Sequence, residues 1–270
     1  MKIFNQILFM VSIQFYNLTV YAQAPDNPAQ SDVQQIFPAS RIKKTYTYNF
    51  KTKFEEKIIR MTDGILLDAL LFHADSSKGV IFYLHGNTGG LDKWSKISSV
   101  YTSLNYDIFM VDYRGYGKSD GSIKNEKQLY NDVQLAYNSV KALYPENKII
   151  IAGYSIGTGP AAMLAATNHP SRLILQAPYY SLSDAIHFLY PSVDTTQMPF
   201  QFNTYQYFPK IICPIAIFHG DADKTFYYGS SLKLKEFFKP GDELITLKGA
   251  DHAEIEKNKD FLVSLKRVLE

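Results

Sequence analysis

Lys148-Ile149-Ile150-Ile151-Ala152-Gly153-Tyr154-Ser155-Ile156-Gly157-Thr158 is the stretch that decides the fold. An unbroken apolar run enters Gly-x-Ser-x-Gly, and a helix-forming segment, Gly157–Ala166, follows. A continuous run of this kind is what a strand buried on both faces needs, and such strands belong to parallel sheets. A strand-to-helix turn this tight brings backbones so close that side chains at 153 and 157 would strike them, which calls for glycine. The turn leaves Ser155 at its apex, near a helix N-terminus whose N–H groups favour negative charge. The pentapeptide alone is weak, because a glycine-rich turn that merely packs closely reads the same. Its strand–turn–helix setting makes Ser155 the candidate nucleophile.

Working outward, the same kind of run recurs at Val80–Leu84, Ile108–Val111, Leu173–Leu175 and Pro214–Phe218, with Leu244–Leu247 as a plausible last strand. Glu56–Met61 and Ile65–Phe72 flank Thr62-Asp63-Gly64, a hairpin signal. Helical stretches fall between them at Trp94–Leu104, Asn125–Leu143, Gly229–Phe238 and Asn258–Leu269. Strand–helix alternation over this length predicts an α/β fold, a mostly parallel sheet with helices on both faces. The alternation breaks between Ser181 and about Pro209, where Phe200, Phe202, Tyr205, Tyr207 and Phe208 cluster. That segment reads as a small cap, spanning about 178–210 of a domain at 54–270.

Two more strand ends carry chemistry. Pro214–Phe218 leads into His219-Gly220-Asp221-Ala222-Asp223, which puts carboxylates at the carboxyl edge of the sheet. Asp223 is preferred as the acid, because two further residues carry it toward the serine. Asp221 is expected to fix the turn. Leu244–Leu247 leads into Lys248-Gly249-Ala250-Asp251-His252, and His252 is the candidate base. The order Ser155, Asp223, His252 matches the triad order of this topology. The oxyanion donors are expected to be the backbone N–H of Ile156 and one from His85-Gly86-Asn87-Thr88 after the third strand. Asn87 is the first choice there and Thr88 the alternative. His85 reads as a structural brace, and His73, His169, His187 and His219 show no comparable placement.

The bulk properties narrow the function. The chain has 270 residues, 46% apolar and 20% charged, an ordinary globular balance. With 28 basic against 26 acidic side chains the net charge is +2, which gives no nucleic-acid footprint. Cys213 is the single cysteine, so no internal disulfide forms, and it reads as a buried apolar residue. Lys2 precedes the apolar run Ile7–Phe15, and Ala22-Gln23-Ala24 resembles a signal-peptidase site. Residues 1–22 are therefore expected to be a signal peptide, with cleavage after Ala22 or Ala24, and the mature protein to be secreted or periplasmic. Gln14 and Asn17 interrupt the run, which falls short of the ~20 residues a stable membrane span requires. Residues 23–53, rich in Pro, Gln and Asn at the start, read as a linker or N-terminal arm.

With these residues in hand, the chain from about Lys57 to Leu269 resembles the α/β-hydrolase superfamily, and within it the small-cap serine aminopeptidase/Bem46-like group. The resemblance rests on Leu84-His85-Gly86-Asn87, Asp112-Tyr113-Arg114-Gly115-Tyr116-Gly117-Lys118-Ser119, Gly153–Gly157, His219–Asp223 and Asp251-His252. It implies an eight-stranded sheet whose first hairpin is antiparallel, a structural role for Arg114, and the triad and oxyanion hole argued above. It also implies a hydrolase acting on a small-molecule ester or acyl substrate, or a short peptide, with no cofactor or metal. A peptidase, an acyltransferase or a non-catalytic binding protein would share most of these features. Thr225-Phe226-Tyr227 departs from the valine and proline that often follow the family's acid.

Overall fold

The computed structural model describes residues 36–196, 198 and 200–270. The signal-peptide reading of 1–22, and the first part of the expected arm, lie outside the described residues. Among those described, no helix is long and apolar enough to cross a membrane.

Eight strands among the described residues form one sheet in the order β1-β2-β4-β3-β5-β6-β7-β8. β1 (Phe54–Arg60) and β2 (Leu66–Phe72) make the expected antiparallel hairpin, and β2 is antiparallel to β4 (Asp107–Val111). All other pairs are parallel: β3 (Val80–Leu84) with β4 and β5 (Ile149–Tyr154), then β6 (Arg172–Gln176), β7 (Ile215–Gly220) and β8 (Glu243–Leu247). The apolar runs are continuous because both faces are covered. Val80, Phe82 and Leu84 enter one core cluster, and Ile81 and Tyr83 the other. The register aligns the carboxyl ends: Leu84 faces Gly153, Tyr154 faces Gln176, Gln176 faces Phe218 and Gly220 faces Leu247. Every loop singled out for chemistry therefore leaves the sheet at one edge.

α1 (Leu91–Trp94) and α2 (Ser98–Ser103) follow β3, and α3 (Glu126–Lys141) follows β4. α4 (Thr158–Thr167), α5 (Leu182–Leu189), α6 (Gly229–Lys235) and α7 (Lys259–Leu269) complete the set described. The helix expected over Trp94–Leu104 is broken by a 3₁₀ turn at Ser95–Ile97. In α2 itself the hydroxyls of Ser99 and Thr102 donate back to Lys96 O and Ser98 O. Asn125 caps α3, its side chain accepting from the Gln128 N–H.

The cap consists of α5 and 3₁₀ turns at Thr204–Gln206 and Phe208–Lys210. Tyr179, Phe200, Phe202 and Phe208 are buried and pack it onto the main domain, so these rings are core. Phe202 adopts a φ of 43°, costly for a bulky residue, and the Glu126 carboxylate accepts the N–H groups of both Gln201 and Phe202 at 3.1 Å.

Residues 36–53 form an ordered arm. Ile42 N–H donates to Gly117 O, Gly117 N–H donates to Ser40 O, and the Phe37 ring meets Phe200 and Phe202 at 5.4 and 6.0 Å. Arg114 is structural, as expected: its guanidinium is paired with both Asp132 and Asp63. Cys213 is buried, and burial pushes its thiol up to about 11.

Candidate active site

β5 ends at Tyr154, and Ser155 opens a 3₁₀ turn that runs directly into α4. Ser155 has a φ of 53°, a left-handed conformation that costs of order 1–3 kcal/mol in a residue with a Cβ. The surrounding structure imposes it. A Cβ on Gly157 would collide with the carbonyl oxygens of Leu84 and His85, and one on Gly153 would meet Gly157 O at 2.6 Å. Thr158 Oγ1 donates to Ser155 O at 2.7 Å and Tyr179 OH to Ile156 O at 3.2 Å. These contacts pin the backbone on either side of the serine oxygen.

Ser155, His252 and Asp223 converge from the ends of β5, β8 and β7. His252 Nε2 lies 2.8 Å from Ser155 Oγ, and His252 Nδ1 lies 2.7 Å from Asp223 Oδ2. The Asp223 carboxyl is held well below the usual carboxylate range. Burial acts to raise it, but hydrogen bonds from His219 and His252 outweigh that. An ionised carboxylate can only accept, so the His252 proton sits on Nδ1 and Nε2 offers its lone pair to the serine hydroxyl. Asp223 Oδ1 accepts the N–H groups of Thr225 and Phe226 at 2.8 and 2.9 Å, so two backbone donors of the loop hold the carboxylate and leave Oδ2 turned to the histidines.

His252 is fixed through its backbone. Asp251 caps the 3₁₀ turn His252–Lys257, its Oδ1 accepting from His252 N–H at 2.7 Å, and Glu254 completes a capping box. Tyr154 OH donates to His252 O at 2.5 Å. The residue immediately before Ser155 thus holds the backbone of His252. Rather than fixing its own turn, Asp221 is exposed and its carboxylate accepts the Gly249 N–H at 2.6 Å, bracing the loop that leads to His252.

Ile156 N–H lies in the first turn of the helical segment, where backbone donors lack intrahelical acceptors. Asn87 lies in the loop after β3. Its carbonyl accepts from Tyr116 OH at 2.8 Å and its side-chain Nδ2 donates to Ile36 O at 3.0 Å. The side chain is committed to the arm and is not free to serve as an oxyanion donor. His85 braces this loop: its Nδ1 donates to Gly86 O at 2.6 Å, its ring lies 4.2 Å from that of Tyr113, and its Nε2 is 3.5 Å from Asp112 Oδ1.

Another expectation needs correcting. His219, given no special placement from sequence, is fully buried in β7 with Nε2 3.1 Å from Asp223 Oδ2. Contacts across the turn, invisible to strand pattern, bring it there. The signal available was its spacing, four residues before the chosen acid and inside the quoted His219–Asp223 motif.

A family model described as "Serine aminopeptidase, S33" matches residues 75–201. The human alpha/beta hydrolase domain-containing protein 17B is 33% identical over 199 residues, 71% of this chain and 66% of that protein. The Caenorhabditis elegans alpha/beta hydrolase domain-containing protein aho-3 is 28% identical over 72% of this chain and 58% of its own length. The chain thus spans about two thirds or less of these curated relatives. Among solved structures, the Pyrococcus furiosus esterase Pf2001 aligns with a TM-score of 0.69 at 18% identity, covering 86% of this chain and 97% of that one. Est1E from Butyrivibrio proteoclasticus, solved with ferulic acid bound, aligns at 0.62 and 19%, covering 79% and 96%. At such identities the structures speak for the fold alone. The chain belongs to the α/β-hydrolase superfamily.

Proposed function

We propose that this protein is a serine hydrolase that cleaves carboxylic ester or thioester bonds through an acyl-enzyme on Ser155. The observation that carries this reading is His252 standing between Ser155 Oγ at 2.8 Å and Asp223 Oδ2 at 2.7 Å.

His252 Nε2 takes the proton of the Ser155 hydroxyl as Oγ attacks the acyl carbon. The carbonyl π electrons move to oxygen, and the backbone N–H groups of Ile156 and Asn87 receive the oxyanion. Loss of one such donor costs on the order of 3 kcal/mol in comparable sites. Asp223 keeps the Nδ1 proton in place and stabilises the transient imidazolium. The imidazolium then protonates the leaving oxygen or sulfur as its bond to the acyl carbon breaks. Water, deprotonated by the same nitrogen, releases the acid and restores Ser155. The N-terminal apolar run supports action outside the cytoplasm.

Ser155→Ala is the decisive variant. A fluorophosphonate probe is expected to label the wild type and not the variant, with the thermal transition of the two within a few degrees. Labelling of the variant at the wild-type level would refute the nucleophile. The peptidase reading draws on the description of the matching family model. Measuring kcat/KM over p-nitrophenyl esters of increasing chain length beside aminoacyl amides separates the two. Faster turnover of any ester is the expected result, and faster cleavage of the amides would favour the peptidase.

A further inference from the structure

Asp223 Oδ2 is shared by two histidines. His252 Nδ1 approaches it at 2.7 Å and His219 Nε2 at 3.1 Å. His219 Nε2 also lies 2.8 Å from Phe226 O. Both of its neighbours are acceptors, a carboxylate and a backbone carbonyl, so Nε2 must carry a proton that it shares between them. On the other side of the ring, Nδ1 lies 2.6 Å from Ser231 Oγ, in α6. In a neutral ring the Nε2 proton leaves Nδ1 as the acceptor for the Ser231 hydroxyl. A second charged imidazole would be costly here. The residue is fully buried, and it would face the imidazolium that His252 becomes during turnover.

The geometry points to His219 as a positioning residue: a neutral imidazole, locked by Ser231, that holds both Asp223 Oδ2 and the Phe226 carbonyl of the acid loop so that the carboxylate stays aimed at His252. It never touches the substrate and acts only through Asp223. The inference rests on the proposed Ser155 mechanism and adds a residue to it. The other charged groups around the loop are engaged elsewhere or exposed. Asp221 accepts from Gly249 N–H, Asp251 accepts from the N–H groups of Lys224 and His252, and Lys224 is exposed. Tyr228 packs its ring against His219 at 5.7 Å and uses its hydroxyl on Thr246. His219 is therefore the one titratable side chain besides His252 that the structure sets on this carboxylate among the described residues.

This makes a kinetic statement that a purely structural histidine would not. A hydrogen bond from His219 draws charge away from Oδ2. Removing it leaves a more basic but less well aimed carboxylate beside His252. In His219→Leu, kcat on an ester substrate is expected to fall about 10- to 100-fold with KM within about twofold. The acid limb of the kcat/KM profile should move to higher pH, since an undiluted Oδ2 charge favours the imidazolium form of His252. His219→Gln, whose amide nitrogen reaches the Nε2 position, is expected to restore most of the rate and return the acid limb. If His219→Leu does not fold, Ser231→Ala serves instead. It unlocks the ring without removing the donor and should show the same changes to a smaller extent. Wild-type kcat and a superimposable pH profile in a folded His219→Leu, or in Ser231→Ala, would overturn the inference. So would a His219→Gln enzyme no better than His219→Leu. Labelling of Ser155→Ala by the fluorophosphonate probe would instead refute the underlying mechanism, which keeps the two failures apart.

Discussion

Each oxygen of Asp223 has a separate task. Oδ1 is held by two backbone N–H groups, and Oδ2 is left to the histidines. Asp223→Asn turns a pure acceptor into a group that must place an NH₂ at one of these positions. Either the loop loses an acceptor or His252 meets a donor and adopts the wrong tautomer. A loss of about 10⁴ in kcat is expected, as in other triads with this change. Asp221→Asn retains an acceptor for Gly249 N–H, so kcat should hold and stability should change by less than about 1 kcal/mol. Steady-state kinetics and urea melts of the two variants check this, and the reverse pattern would mean the wrong carboxylate was chosen. At this scale much of the candidate site was legible. Ser155, Asp223 and His252 each follow a strand end, and strand ends are readable from apolar runs. Tyr154 and His219 were not. Tyr154 finds its partner 98 residues away, and His219 finds its own across a turn whose conformation no local pattern specifies.

The strands were legible because burial on both faces leaves an unbroken apolar signature: Val80–Leu84 matches β3 at both ends. The helix after it was not, because a 3₁₀ turn interrupts it without breaking the apolar period. The cap shows the same division. Its aromatic content was plain, but which rings pack and which face outward depends on tertiary contacts. Phe200 and Phe202 are wholly buried whereas Phe188 is 57% exposed and stacks on Tyr227 at 3.8 Å. The elbow is the element on which most depends. β5 and α4 meet through Gly157, whose missing Cβ leaves room for the carbonyl oxygens of Leu84 and His85. Those carbonyls stand at the end of β3 and the start of the loop that contains Asn87. Gly157→Ala would have to displace either the elbow or that loop, neither of which can yield as a flexible side chain would. A destabilisation of about 2–3 kcal/mol is expected in chemical denaturation, near the upper range for forcing a methyl into a packed site. Probe labelling of the folded fraction should slow as well. Wild-type stability would show that the backbones can part at little cost.

Across the whole molecule, the arm was the least legible part. Its composition reads as a linker or an N-terminal arm and does not say what it touches; Ile36, Phe37 and Tyr48 are buried, and it ties the Asp112–Ser119 turn to the cap and to Asn87. One consequence is a buried carboxylate beneath it. Asp68, in β2, is 1% exposed, and its Oδ2 accepts from Tyr48 OH at 2.7 Å. Its Oδ1 has no hydrogen-bond partner. Burial pushes the Asp68 carboxyl up to about 6, with the charge of nearby Asp112 adding to this, while the Tyr48 bond and Lys118 act against it. In the unfolded chain the same group titrates near 3.9. Between those values the native protein binds the proton more tightly than the unfolded chain does. Stability from this group therefore falls as pH rises through that window, and the penalty is complete above about pH 6. Asp68→Asn keeps an oxygen for Tyr48 OH and removes the charge. Its stability relative to wild type should be close to zero difference below pH 4. It should grow to about 2 kcal/mol in favour of the variant by neutral pH, at 1.36 kcal/mol per pKa unit with some allowance for relaxation. Urea unfolding of both proteins at intervals from pH 4 to 8 measures the difference directly. A gap that stays constant with pH, or that favours the wild type near neutrality, would mean that Tyr48 and Lys118 stabilise the ionised form well enough to offset its burial.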